Sequence, residues 1–188
     1  VSSEDSDISS VAMGVLTAQA RFMQQQRRME LPVTELPGEL FHAAVLVWRT
    51  SAGEGSEDIS ARAEMNLRAR YDEGATRLGL TANLVTGMGA GARAALSVSH
   101  AGVAIFLTAL AHLSGQKRDI VILSTNERQL GRFALSLRAS GLKPHEVEEQ
   151  FLLIHPEIAL PEGFEQLRVD RAQEMLASSQ TVSNGSQQ

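Results

Sequence analysis

The chain of 188 residues has no cysteine, one tryptophan, one tyrosine and six phenylalanines. Without thiols there is no disulfide framework, no thiolate metal site and no thiol nucleophile. That absence fits a reducing compartment, and the expected location is cytoplasmic. Scarce aromatics leave Ala, Leu and Val to fill the interior, which closely approaching helices permit. Charge is missing where it tells most: between Leu78 and Gln116 only Arg93 carries one. A stretch so poor in charge has to be shielded from water by a core, a partner or lipid. Basic excess is missing too. The formal charge is −5 and the pI about 5.6, which argues against a protein whose main task is gripping phosphate backbones. The acidic, serine-rich start lacks the basic residues of a signal peptide, and 1–9 reads as a disordered lead-in. The polar segment 178–188 reads as a disordered tail.

Helical periodicity is what the chain has in abundance. Over 10–30, Val11, Val15, Ala18, Phe22 and Met29 recur at helical spacing, and a connector between Pro32 and Pro37 completes an N-terminal segment, 10–36. That helix reads either as packed on its own domain or as a detachable arm that pairs with a partner. A core domain is expected over 37–177. Residues 38–50 hold Leu40, Phe41, Ala44, Val45, Val47 and Trp48 and read as a helix because Pro37 stands where a first helical turn often begins, with a buried strand at 43–48 as the alternative. Ser56 is a candidate N-cap for a helix whose stripe runs Ile59, Ala63, Leu67, Tyr71, Ala75, Leu78.

The charge-poor middle predicts a long apolar helix over about 91–114. Ser97, Ala101, Ala104, Thr108 and Ala111 give it one small-residue stripe, and Leu96, Val103, Phe106, Leu107 and Leu110 supply bulk elsewhere. Ile120–Leu123 could be a strand, and Ser124 with Glu127 has capping-box spacing. A helix over 130–137 is expected to end at Gly141, a second to run from Pro144 to about Ile154, and a last one from Pro161 to Ala177. The fold expected is mainly α: a single-domain helical bundle around 91–114, with at most one or two short strands.

Few residues carry recognisable chemistry. Leu84-Val85-Thr86-Gly87-Met88-Gly89-Ala90-Gly91 resembles the strand-turn-helix opening of a short-chain dehydrogenase, and 119–128 resembles that family's second strand and turn. The resemblance implies a nucleotide cradled by Gly87, Gly89, Gly91 and the neighbouring Arg93 at a helix N-terminus. Arg93, however, stands where the pattern wants its last glycine. No acid follows the second strand to hold a ribose, and the Tyr-x-x-x-Lys pair is absent, since Tyr71 precedes the turn and is followed by Ala75. The run His145-Glu146-Val147-Glu148-Glu149 has Glu149 where a zinc-protease helix needs its second histidine, so no metal is expected. His100 and His112, on the apolar helix, are expected to be buried and hydrogen-bonded. No Gly-x-Ser-x-Gly elbow is present, and no nucleophile stands out. The paired helices around Gly141 suggest a helix-turn-helix, but the reading helix would show Glu146, Glu148 and Glu149 to phosphates. Residues 94–114 are about long enough to span a bilayer, yet hold two histidines and three serines.

The functional expectation is a non-catalytic helical interaction protein: an adaptor, chaperone-like subunit or assembly component that needs no cofactor. Its partner would be another protein or a second copy of itself, met through Val11, Val15, Phe22, Ala101, Ala104 and Thr108. The alternative is a nucleotide-binding protein using 84–93. A DNA-binding regulator and a membrane-inserting helical protein stand behind it.

Overall fold

A computed structural model of the chain describes residues 2–53 and 57–185, with side chains described over 7–53 and 57–179. The fold is mainly α, as the periodicity predicts, and no strand occurs among the described residues. The α-helices are α1 (Ser2–Arg27), α2 (Gly38–Ser51), α3 (Glu57–Arg70), α4 (Arg77–Gly87), α5 (Val98–Ser114), α6 (Arg118–Ser124), α7 (Leu130–Ala139), α8 (Pro144–Ile154) and α9 (Val169–Gly185). The chain divides into two compact units, Val1–Gly87 and Met88–Gln188.

In the first unit α1 packs along α4. Val15 and Ala18 are buried there, and Gly14 faces the Leu80 side chain. The Arg77 guanidinium lies 4.2 Å from the Phe22 ring centroid, a cation–π contact across the same seam. The N-terminal helix is therefore packed on its own unit and is not a detached arm. It also starts at Ser2, inside the segment expected to be a lead-in.

The stripe from Ile59 to Leu78 does not form one helix. α3 ends at Arg70 because Tyr71 turns away: its ring stacks on Phe41 at 3.9 Å between centroids and 5° between planes, and its hydroxyl donates to the Leu36 carbonyl at 2.9 Å. Desolvation in that position, with Glu73 and Asp72 nearby, raises the Tyr71 phenol above its ordinary pKa. The Asp72 carboxylate then accepts from the Gly74 N–H at 2.9 Å, a 3-10 turn follows over Glu73–Ala75, and α4 begins at Arg77. Gly79 permits this return, because a Cβ there would collide with the Glu73 backbone carbonyl. The expected cap Ser56 lies outside the described residues.

The second unit starts with a 3-10 helix, Gly89–Leu96, which buries Ala92, Ala95 and Leu96. The continuous helix expected over about 91–114 is thus replaced: Ser97 is extended, α5 begins at Val98, and the helix is broken at Gly102 (φ 72°, ψ 159°), a backbone conformation that glycine alone adopts readily. Beyond the break Phe106 and Leu110 are fully buried, with Leu107, Ala109 and Ala111 beside them, while Val103 at the break is 54% exposed. The Gln150 side chain accepts from the Val98 N–H at 2.9 Å and so satisfies one of α5's first donors.

The run Ile120–Leu123, expected as a strand, is part of α6, which turns Val121 and Ser124 inward at helical spacing. Ser124 ends that helix, its hydroxyl bonded to the Val121 carbonyl, and the cap of the next turn is Asn126. α7 and α8 fall where glycine and proline placed them. Gly141 follows α7, and α8 runs from Pro144 to Ile154. Phe133, Leu137, Val147 and Phe151 fill the space between them. The last helix starts at Val169, later than expected, after a 3-10 turn at Phe164–Gln166 that is held by Arg138 donating to the Leu167 carbonyl at 2.6 Å. It runs to Gly185, into the expected tail. Ala172 and Leu176 pack on Ala139 of α7, and Arg132 reaches the Ser179 hydroxyl at 2.8 Å, so the helix is anchored past Ala177.

Candidate interaction surface

The glycine cluster does not form the strand-turn-helix that the dehydrogenase resemblance implies. Leu84–Gly87 is the last turn of α4, and Gly89 and Gly91 lie in the 3-10 helix. The helical setting also explains Arg93. Its guanidinium donates to the Gly141 carbonyl at 3.0 Å and meets the Glu146 carboxylate at 3.4 Å, tying the 3-10 helix to the α7–α8 turn. Glu146 in turn accepts from the Lys143 N–H at 2.6 Å, which, with Arg93 nearby, holds its carboxyl below the ordinary glutamate pKa. The one charge of the middle third is a structural clasp.

The residues expected to meet a partner are largely occupied within the chain. Val15 is buried, and Val11 and Phe22 are half-buried on the side of α1 that faces α4. Thr108 is buried: its hydroxyl donates to the Ala104 carbonyl and accepts from Arg118 at 2.9 Å. Ala101 and Ala104 are half-buried. His100 and His112, expected to be buried, are both exposed, and His100 pairs with the Ser97 hydroxyl at 2.7 Å.

The apolar surface that stays open is elsewhere in the first unit. On α1, Met13, Leu16 and Met23 are 63%, 63% and 46% exposed, with Ala20 exposed between them. α2 buries only Phe41 and Val45, and leaves Leu40, Leu46, Val47 and Trp48 exposed. At about 100° per residue, Leu40, Ala43 and Val47 share one flank of α2, and Trp48 and Ala44 connect it to the buried side. An apolar cleft of about 190 Å³ lies beside Trp48, lined also by Val33, Ala44, Val45 and Leu67. Ile59 and Met65 on α3 are exposed as well.

The cause is visible in how α2 and α3 are joined. Glu64 lies 3.1 Å from Arg49 of α2 and 2.8 Å from Arg68 of α3, and Arg68 lies 2.7 Å from the His42 ring. The hydrogen bond from Arg68, reinforced by Arg49, keeps the Glu64 carboxyl below its ordinary pKa. A seam made partly of charge consumes little apolar area, and beyond Phe41 and Val45 several large apolar side chains of the two helices, Leu40, Leu46, Val47, Ile59 and Met65 among them, stay exposed. Sequence reasoning placed Leu40, Val47 and Trp48 in a helix of the core domain without assigning them a face, and missed Met13, Leu16 and Met23. The 3-4-3 spacing of Met13, Leu16, Ala20 and Met23 is the signal that could have found them.

The second unit carries an apolar groove of about 410 Å³ between α7, α8, α9 and the preceding loop, with Leu135, Phe151, Leu160, Phe164 and Met175 among its walls. Behind it His155 packs its ring against Phe151 and Phe133, at 5.5 and 6.0 Å. No cluster of His, Asp or Glu suited to a metal ion occurs among the described residues. No single helix among the described residues is long and apolar enough to cross a membrane. α5 and α6 together meet that test by length and composition, but as a pair bent by 113°. No protein-family model, curated protein or solved structure matches the chain.

Proposed function

We propose that the protein is a non-catalytic helical interaction protein, an adaptor or assembly component that works through the apolar faces of α1 and α2 in a reducing compartment. One observation carries this reading: Met13, Leu16, Met23, Leu40, Leu46, Val47 and Trp48 all stand open to water within two helices. Scattered exposed apolar side chains are ordinary, but a run of large ones on adjoining turns marks a contact surface. The enrichment in Met and the presence of Trp suit interface cores. The helical form of the glycine turn removes the main support for the nucleotide alternative.

Affinity purification from the native host, comparing wild type with Val47→Glu/Trp48→Glu, tests the reading. Both side chains are exposed, so the variant should keep its helical circular dichroism and lose a stoichiometric companion seen with wild type. Identical companions for the two proteins, or none for either, would contradict it.

A further inference from the structure

We propose that the apolar groove of the second unit, with the acidic hollow beside it, docks a basic amphipathic helix of another protein. This is a second surface, independent of the one on α1 and α2. The groove lies between α7, α8, α9 and the segment 155–168, and Leu135, Phe151, Ile158 and Met175 are among its walls. A hollow of about 470 Å³ adjoins it, and Leu160, Pro161 and Phe164 line both. On α8, Pro144, Glu148 and Phe151 stand four and three residues apart, so they share one helix face over about 10 Å. Phe151 belongs to the groove, and Glu148 and Pro144 belong to the hollow. The two therefore follow one another along α8, apolar toward its end and acidic toward its start.

Charge selects the occupant. Glu148, Glu162 and Glu165 line the hollow together with His145, and no Lys or Arg lines either cavity. These residues belong to a run, 144–167, that holds six glutamates and neither Lys nor Arg. Arg93 meets one of the six, Glu146; among the described residues no ion pair engages the three carboxylates that line the hollow. A cleft lined by one sign of charge gathers the opposite sign. A second copy of this chain fits poorly, because its own formal charge is −5. A free small cation would meet the carboxylates and leave the groove open to water. An amphipathic helix serves both: its apolar side chains enter the groove, and Lys or Arg about two turns further along meet the glutamates.

The probe is a fluorescein-labelled helical peptide of leucine and lysine, read by anisotropy beside a peptide with glutamate in place of each lysine. The lysine peptide should bind, more weakly as salt is raised, and the glutamate peptide should not. Glu162→Lys/Glu165→Lys, at exposed positions outside the α-helices, should weaken binding by about tenfold or more. Glu30→Lys/Glu57→Lys makes the same change of net charge in the first unit and should leave binding within about twofold of wild type. Gly131 lines the groove where an added Cβ meets nothing within 4 Å, so Gly131→Leu should fill it, keep the fold and weaken binding by about tenfold. Equal weakening by the two charge reversals would reduce the effect to bulk attraction and overturn the site. So would a Gly131→Leu protein that binds as wild type does, or equal binding of both peptides. Binding lost in Val47→Glu/Trp48→Glu but kept in Gly131→Leu would move the peptide to α2. No binding of the lysine peptide would overturn the proposal outright.

Discussion

Glu35 and Glu73 cap each other's helices. Glu35 precedes α2, yet its carboxylate accepts from the Arg77 N–H at the start of α4 at 3.1 Å; Glu73 precedes α4, yet accepts from the Gly38 N–H at the start of α2, also at 3.1 Å. Each supplies an acceptor and a negative charge to the positive end of the other helix. Glu35→Ala and Glu73→Ala are each expected to cost about 1 kcal/mol, the usual loss for a removed N-terminal cap. Urea titration followed by circular dichroism measures it.

Gly79 and Gly131 both sit in helices and should respond oppositely to alanine. A Cβ at Gly79 would strike the Glu73 backbone, whereas at Gly131 it would meet nothing within 4 Å. Gly131→Ala should stabilise by roughly 0.5–1 kcal/mol through helix propensity. Gly79→Ala should destabilise by about 2 kcal/mol or more, because the helix start has to shift. Thermal melts of the two variants against wild type decide it.

Tyr71→Phe keeps the ring on Phe41 and removes only the hydrogen bond to the Leu36 carbonyl, at an expected cost of about 1 kcal/mol. Tyr71→Ala also removes the stack against the fully buried Phe41 and should cost roughly 3 kcal/mol. Parallel denaturation of the two variants separates bond from ring.

Glu146 gives the second unit an acid-sensitive clasp. Its folded pKa is lowered below the ordinary value of 4.5, so the unfolded chain binds the proton more readily. The stabilisation is therefore present above about 4.5 and is lost as pH falls through the lowered folded value. Glu146→Gln should be less stable than wild type at neutral pH, and the gap should close on acidification. Equal pH dependence of the two proteins would contradict the clasp.

How much of this was legible varied with the range of the interaction. α8 was readable to the residue because Pro144 starts it and Pro156 follows its end, both local effects. The mainly α class was readable because helical spacing recurs along most of the chain. Several features were not, and three show why. Ile120–Leu123 is too short for periodicity to separate strand from helix, and Val121 with Ser124 facing the core settles it only in three dimensions. The stripe through Tyr71 kept helical spacing, and a ring drawn to Phe41, 30 residues earlier, broke it. α1 has apolar residues on both sides, so the sequence could not say which side was packed. Gly14 and Ala18, small residues on the inner stripe, were the available clue, and Val11, Val15 and Phe22 were assigned outward instead.

The most direct measurement is a photo-crosslinking scan in living cells, with p-benzoylphenylalanine placed singly at Leu40, Ala43, Val47, Arg49 and Arg62. A binding surface on the open flank of α2 predicts discrete adducts at positions 40, 43 and 47 and little at 49 and 62. Adducts absent from the apolar positions, or equally strong at Arg49 and Arg62, would contradict it.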